Sequence, residues 1–381
     1  MTSCSDQTIA AKNRVAARLY DDRNTEYGSP SLFQGKHDTQ QATRSGLATG
    51  TFALHNHSSA LILKRMNHIS FTLEPAPPFR LDITVWLLRR RAENVIDRWE
   101  DGNSYRRVLI AQPNPVEVEV VQEGPPNRPL LRVTATGTKL SPDTEGVVGS
   151  ALTRMLGIDA DLSEFYRLAE RQPKLDALVR KFRGVKPPRY PTLFEALVNA
   201  IACQQISLTV GIIILSRLGA AFGPSVVKQG IPAYGFPGAR SLSTVETDEL
   251  RRLGFSRQKA RAIIELASAV SEKQLDLDEL ENLESEAAAA HLRQLRGVGR
   301  WSAEYVLLRG LGRLDVFPGD DVGARTNLQR WLDLREPLDY AQVWNSIAPW
   351  RAYGGLIYFH LLLRRLAEAG YINVEEEGQN Q

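Results

Sequence analysis

The residues with the clearest chemical potential lie between Leu292 and Asp321. The run Leu292-Arg293-Gln294-Leu295-Arg296-Gly297-Val298-Gly299-Arg300-Trp301-Ser302-Ala303 places Leu292 and Leu295 on one face of a helix beginning near Glu286. Gly297 and Gly299 are poor helix-interior residues and predict a tight hairpin, with Val298 as an inward plug. Ser302-Ala303 opens a second helix whose apolar face includes Tyr305 and Leu308. Paired glycines let a backbone approach a ligand closely. The free amides at the start of the second helix point the same way, an arrangement suited to phosphate. Taken alone, a Gly-x-Gly is an ordinary helix–turn–helix connection. Further along, Val316-Phe317-Pro318-Gly319-Asp320-Asp321-Val322 ends one element at Pro-Gly and begins the next at Asp320 or Asp321. That is the position of an N-cap. A carboxylate held at a helix N-terminus also stays ionised, as a catalytic anion must.

Other candidates are weaker. Helix, glycine turn and helix recur upstream through Leu250, Leu253, Gly254, Phe255, Ser256, Lys259, Ala260 and Ile263. The basic run Arg171, Lys174, Arg180, Lys181, Arg183, Lys186 and Arg189, opposed only by Asp176, is a solvated face unless a polyanion is present. Cys203 has no histidine near it in sequence and reads as a small buried residue. No phosphate-binding loop, dinucleotide fingerprint or zinc spacing occurs.

The elements that must position these residues fall into segments. The chain has 381 residues, long enough for two or three domains. At 43% hydrophobic and 24% charged it has the composition of a folded globular protein. No run of about 18 apolar residues occurs; the most apolar stretch, Phe194 to Gly219, is interrupted by Gln204, Gln205 and Ser207. No membrane partner is therefore expected. The N-terminus shows no secretory signal, and Cys4 and Cys203 cannot build a disulfide framework or an iron–sulfur site, so an intracellular protein with reduced thiols is expected. The net charge of +3 decides little, but 37 arginines stand against 10 lysines. Arginine is the better phosphate fork, although a GC-rich genome gives the same bias. Residues 1–60 are polar and aperiodic and predict a disordered arm, with a short helix over 10–20. Residues 66–150 alternate with a period of two at Ile69/Phe71/Leu73, Val116/Val118/Val120 and Leu131/Val133/Ala135, with a turn at Asp101-Gly102-Asn103 and room for a helix over 81–91. Residues 151–370 have a helical period nearly throughout, and 371–381 read as a frayed acidic tail. The expected fold is α+β: a small antiparallel β-rich domain followed by an all-helical core.

Five ordered motifs together resemble the helix-hairpin-helix (HhH-GPD) DNA glycosylase superfamily, and within it the AlkA-type 3-methyladenine glycosylases. They are Phe194-Glu195-Ala196-Leu197 through Gln204-Gln205-Ile206-Ser207, Gly254 through Lys259-Ala260, the hairpin, Phe317 through Asp321, and Pro349-Trp350-Arg351-Ala352-Tyr353. The resemblance covers about 150–365. It implies that Asp321 is the catalytic aspartate and that Trp301, Tyr305 and Phe359 line a base pocket. It further implies that Gly297, Gly299, Arg300 and Ser302 contact DNA and that Gln205 fills the gap left by a flipped base, where the AlkA-type pattern has an apolar wedge. The main-chain carbonyls of Arg293, Leu295 and Val298 match those that hold a monovalent cation, sodium or potassium; no cofactor is implied for catalysis. Trp301 stands where bifunctional members carry a Schiff-base lysine, so the resemblance implies a monofunctional enzyme. The four cysteines of the endonuclease III branch are missing. Val322 is smaller than the residue usual in the subgroup.

The expected activity is hydrolysis of the N-glycosidic bond of alkylated purines such as 3-methyladenine and 7-methylguanine, flipped out of duplex DNA. The expected partner is double-stranded DNA carrying damaged bases, met by a DNA-associated monomer in the cytoplasm or nucleoid of a bacterium or the nucleus of a eukaryote. Two other readings stand beside it: a non-catalytic lesion-binding module, and a glycosylase for oxidised or deaminated bases.

Overall fold

Five strands, β1 (Asn67–Leu73), β2 (Arg98–Glu100), β3 (Ser104–Ala111), β4 (Asn114–Gln122) and β5 (Leu131–Gly137), form an antiparallel sheet in the order β1-β5-β4-β3-β2. The period-two pattern fixes its register: Val118 lies opposite Ala135 and Val120 opposite Val133, all four buried. The structure is a computed structural model that describes residues 66–111 and 113–372. The expected N-terminal arm, including a helix over 10–20, and the tail beyond Ile372 lie outside the described residues. Tyr371 and Ile372 are not frayed as expected. The Tyr371 ring lies 5.8 Å from that of Trp86, and Ile372 is buried.

Helix α1 (Leu81–Arg89) carries two apolar stripes. Leu81, Val85 and Leu88 pack into the sheet's core, whereas Ile83 and Leu87 pack into a helical core with Phe165, Phe317 and Leu328. Helix α2 (Thr144–Leu156) adds Val148, Leu152 and Met155 to the sheet's core. The boundary expected near residue 150 is therefore a seam between layers, and the described residues form one compact unit. A buried ion triad crosses that seam. Arg107 of β3 reaches Asp97 at 2.6 Å and Glu195 at 2.5 Å.

The rest is largely helical: α3 (Ser163–Glu170), α4 (Pro173–Lys181), α5 (Leu193–Cys203), α6 (Leu208–Phe222), α7 (Ala239–Leu242), α8 (Thr247–Arg252), α9 (Arg257–Ser271), α10 (Ser285–Leu292), α11 (Arg300–Val306), α12 (Val322–Leu332), α13 (Tyr340–Ile347) and α14 (Gly354–Glu368). One expectation needs correction, because this region is not all-helical. Strands β6 (Ser225–Lys228) and β7 (Ile231–Tyr234) form a hairpin closed by Gln229 and Gly230, both left-handed at φ +51° and +80°. Four-residue strands are too short to show a period, so only the Gln-Gly turn could have signalled them.

Candidate active site

A cavity of about 1230 Å³ opens where several helix ends meet. The end of α5, the hairpin before α11, the start of α12 and one face of α14 all line it, with Arg90 and Arg91 from the end of α1. The hairpin follows its sequence. Gly297 is left-handed at φ +79°, and a Cβ there would stand 3.1 Å from Ala262. Val298 is buried as the expected plug. Gly299 is the N-cap of α11, and a Cβ on it would meet nothing within 4 Å. A side chain at that position would meet no atom of the protein, so the backbone there is open to solvent.

Asp321 is the N-cap of α12. Its Oδ1 accepts the Ala324 N–H at 2.9 Å, and its Oδ2 faces the Trp301 Nε1–H at 3.3 Å. The cap donor and the indole together fix both oxygens at the cavity wall. The Trp301 and Tyr305 rings lie 5.4 Å apart at 30° to each other. The loop bearing Asp321 is tied to α11 by Glu304, whose Oε2 accepts the Gly319 N–H at 3.0 Å and whose Oε1 accepts the Tyr340 hydroxyl at 2.6 Å. Burial raises the Glu304 carboxyl above its ordinary value, and these two hydrogen bonds oppose the rise. Arg300 forms a two-pronged pair with Asp320 at 2.6 and 2.9 Å and lies 3.8 Å from the centre of the Tyr340 ring.

The end of α5 is anchored separately. Lys259 Nζ donates to the carbonyls of Ala202 and Gln204 at 2.9 and 2.6 Å, as a cation does at a helix C-terminus. Gln204 Nε2 donates to Gly297 O at 2.6 Å and to Ser302 Oγ at 2.7 Å. With its neighbour held, Gln205 turns outward in the left-handed region at φ +54° and is exposed.

Of the residues singled out from sequence, the structure gathers Asp321, Trp301, Tyr305, Gly297, Gly299, Arg300, Ser302 and Gln205 around this one cavity. Phe359, which it does not gather there, and Ser302 occupy other roles than expected. Phe359 does not line the cavity: it is 1% exposed and packs in the core, with the Arg309 guanidinium 5.5 Å from its ring centre. Its neighbour Tyr358 lines the cavity in its place, one residue round the helix. Ser302 is 1% exposed with its hydroxyl engaged by Gln204, so it fastens the hairpin and offers no free side chain to DNA. At the hairpin, Leu295 O accepts the Val298 N–H, whereas Arg293 lies at the end of α10. Among the described residues no cluster of three His, Cys, Asp or Glu could hold a metal.

Sequence reasoning missed the pocket floor. Arg90 donates from Nη1 to the Tyr305 hydroxyl at 2.9 Å and from Nη2 to Asn199 Oδ1 at 2.6 Å. The Tyr190 hydroxyl lies 2.7 Å from that of Tyr305. Burial raises the Tyr190 phenol well above its ordinary range, which keeps that hydroxyl uncharged beside the guanidinium. The family motifs carry no signal for Arg90, which reaches the pocket from the first layer of the fold.

Residues 198–350 match the model of the HhH-GPD superfamily base excision DNA repair proteins. The DNA-3-methyladenine glycosylase of Bacillus subtilis is 28% identical over 204 residues, 54% of this chain and 67% of that protein. DNA-3-methyladenine glycosylase 2 of Escherichia coli is 31% identical over 290 residues, 74% of this chain and 94% of the relative. The solved structure of the 3-methyladenine DNA glycosylase from Archaeoglobus fulgidus is 27% identical, with a TM-score of 0.68 over 77% of this chain and 97% of the other. The motifs, the cavity they surround and these relatives place the chain in the HhH-GPD superfamily of base excision DNA repair proteins, as an AlkA-like DNA glycosylase.

Proposed function

We propose that the protein removes alkylated purines, 3-methyladenine and 7-methylguanine among them, from duplex DNA as a monofunctional glycosylase. The observation that carries this reading is the Asp321 carboxylate, fixed at the cavity wall by Trp301 and Ala324 beside the tilted pair of Trp301 and Tyr305 rings. The hairpin amides near Gly297 and Gly299, together with Arg300, hold backbone phosphates, a contact blind to sequence and weakened by salt. A monovalent cation on the carbonyls of Arg293, Leu295 and Val298 would add positive charge there. The damaged nucleotide swings out of the stack and its base enters between Trp301 and the Tyr358 side of the cavity. Gln205, standing outward, fills the gap it leaves.

As the bond from C1′ to the base nitrogen breaks, its electron pair leaves with the base and positive charge grows on the sugar. Asp321 stabilises that charge, orients the water whose oxygen bonds to C1′, and accepts the proton that the water gives up. No lysine lines the cavity among the described residues, and Lys259 is committed to two carbonyls, which supports hydrolysis without a Schiff base.

The test is base release from methylated duplex DNA by the wild type and by Asp321→Asn. Free 3-methyladenine or 7-methylguanine from the wild type, with the variant binding the duplex and releasing little, supports the reading. If both proteins bind and neither releases a base across alkylated, oxidised and deaminated lesions, the chain is a lesion-binding module. Release at equal rates would remove Asp321 from the mechanism.

A further inference from the structure

Arg90 is an unusual residue to find in a pocket for cationic bases. It lies outside residues 198–350, the segment matched to the superfamily, and enters the cavity from the end of α1. It is 5% exposed. Its backbone is left-handed at φ +60°, a conformation that non-glycine residues keep chiefly where the surroundings hold them. Gln205, the outward-turned residue across the same cavity, shares that conformation.

Among the described residues the charge of Arg90 has no carboxylate partner; its hydrogen bonds go to Tyr305, Asn199 and Cys203. Among the described residues neither Arg90 nor Arg309 forms an ion pair, and Arg90 Nε is buried without a hydrogen-bond acceptor. Arg309 is 1% exposed, in a turn of π-helix after α11, with its guanidinium 5.6 Å from the centre of the Tyr305 ring and 5.5 Å from that of Tyr190. The electron-rich ring that would attract a cationic base therefore already carries a cation. The nearby buried carboxylates, Asp97 and Glu195, are both bound by Arg107, and Asp320 is neutralised by Arg300. Asp321 is left as a negative charge against the guanidiniums of Arg90 and Arg309, and Arg91 and Arg330 on the cavity wall add to the positive side. No guanidinium can shed its proton, and within a partly dehydrated pocket their field is weakly screened.

We propose that Arg90 is a specificity-determining residue. Its guanidinium favours an uncharged damaged purine that offers a lone-pair acceptor, and disfavours a purine carrying a fixed positive charge. The proposal rests on the glycosylase reading and divides its substrates by charge. Arg90 Nη1 is given to the Tyr305 hydroxyl and, at 3.8 Å, to Cys203 Sγ, and Nη2 gives one N–H to Asn199, so the second N–H of Nη2 is the donor from which an acceptor on the base edge gains a charge-assisted bond. A 7-alkylated purine meets repulsion at the same point.

The test is single-turnover excision from one duplex sequence carrying either ethenoadenine, an uncharged adduct, or 7-methylguanine, a cationic one. The readout is the ratio of the two rates within a single preparation, which does not depend on the folded fraction. Arg90→Gln should lower the uncharged-to-cationic ratio about tenfold, whereas Arg90→Lys, which keeps the charge, should hold most of it. The wild type gives an independent reading: its acceleration over spontaneous release should be larger for ethenoadenine than for 7-methylguanine. A ratio in Arg90→Gln within about twofold of wild type, or the reverse order of accelerations in the wild type, overturns the proposal alone. Release of neither base by the wild type overturns the glycosylase reading and this proposal with it.

Discussion

At the mouth of the cavity Asp321 is half-buried and takes hydrogen bonds from an indole and a backbone amide, whereas at its floor Arg90 is buried and donates to Tyr305 and Asn199. The mouth is made of helix ends. Gly299 begins α11, Asp321 begins α12, and each is set by local capping geometry that alternative residues can reproduce. The floor is made of side chains from the end of α1, from α5, from α11 and from Tyr190, and none is set by its own neighbours in sequence. Function at the mouth needs specific charges in shallow, solvated positions. Function at the floor needs a buried polar network that is expensive to leave incomplete. Substitutions at the mouth should therefore damage chemistry and spare folding, and those behind the floor should do the reverse.

The largest effect should come from behind the floor. Glu195 accepts both of its ion-pair contacts from Arg107, at 2.7 and 2.5 Å, with both residues buried. Glu195→Gln leaves Arg107 paired only with Asp97. The expected loss is about 3–5 kcal/mol of unfolding free energy, read from the midpoint of a urea transition. A loss below about 1 kcal/mol would mean that the triad behaves as a surface pair and that the seam between sheet and helices is held by apolar packing alone.

Asp321→Asn should produce the opposite pattern. Asparagine caps helices as well as aspartate, so stability should change by less than about 1 kcal/mol. The negative charge at C1′ is gone, so the single-turnover rate should fall about 100-fold or more. Equal losses of rate and stability would erase the contrast between mouth and floor.

Glu304 lies between these cases, since it is buried yet serves the mouth by holding Gly319. Its carboxyl is raised above the ordinary value of an unfolded chain, first by burial. Between that value and the raised one the folded state binds more protons than the unfolded chain. The stability this group contributes is therefore fully present below the unfolded value and is lost as pH rises through the folded one. In Glu304→Gln the group no longer titrates. The wild-type stability minus that of the variant should fall as pH rises through this window, in urea titrations at a series of pH values. A difference that stays flat would mean that the carboxylate is as well solvated as in the unfolded chain.

How much of this was legible in sequence follows the same division. The hairpin, Val298 as a plug, Asp321 as an N-cap and the Trp301–Tyr305 face were readable because capping and helical period are local. The sheet was readable because Val116, Val118 and Val120 alternate over a strand long enough to count. Phe359 was misassigned because helix α14 is apolar on several faces, so neighbouring Tyr358 and Phe359 cannot be told apart until the helix's rotation against its partners is known. Arg90 was illegible for a different reason. Three consecutive arginines, Arg89 to Arg91, stand at the end of α1, and nothing in their sequence tells which one reaches Tyr305; the left-handed turn lies at the middle one. The hairpin β6–β7 was missed because each strand has four residues.

The smallest effect should be at the outer rim, where the contrast with the floor is sharpest. Arg300 and Asp320 form a pair with side chains 48% and 29% exposed, so the pair is screened and contributes under about 1 kcal/mol to stability. Asp320 neutralises a cation at the first residue of α11, beside the free amides that face phosphate. Arg300 would keep its position without Asp320, because the Tyr340 ring supports its guanidinium at 3.8 Å. Asp320→Asn should therefore leave stability unchanged and strengthen binding to undamaged duplex a few-fold at low salt, with the slope of log affinity against log salt steeper by about one. The sign is the informative part. Weaker binding would show that Asp320 orients Arg300 toward the phosphate, and an unchanged slope would put Arg300 out of reach of the DNA backbone.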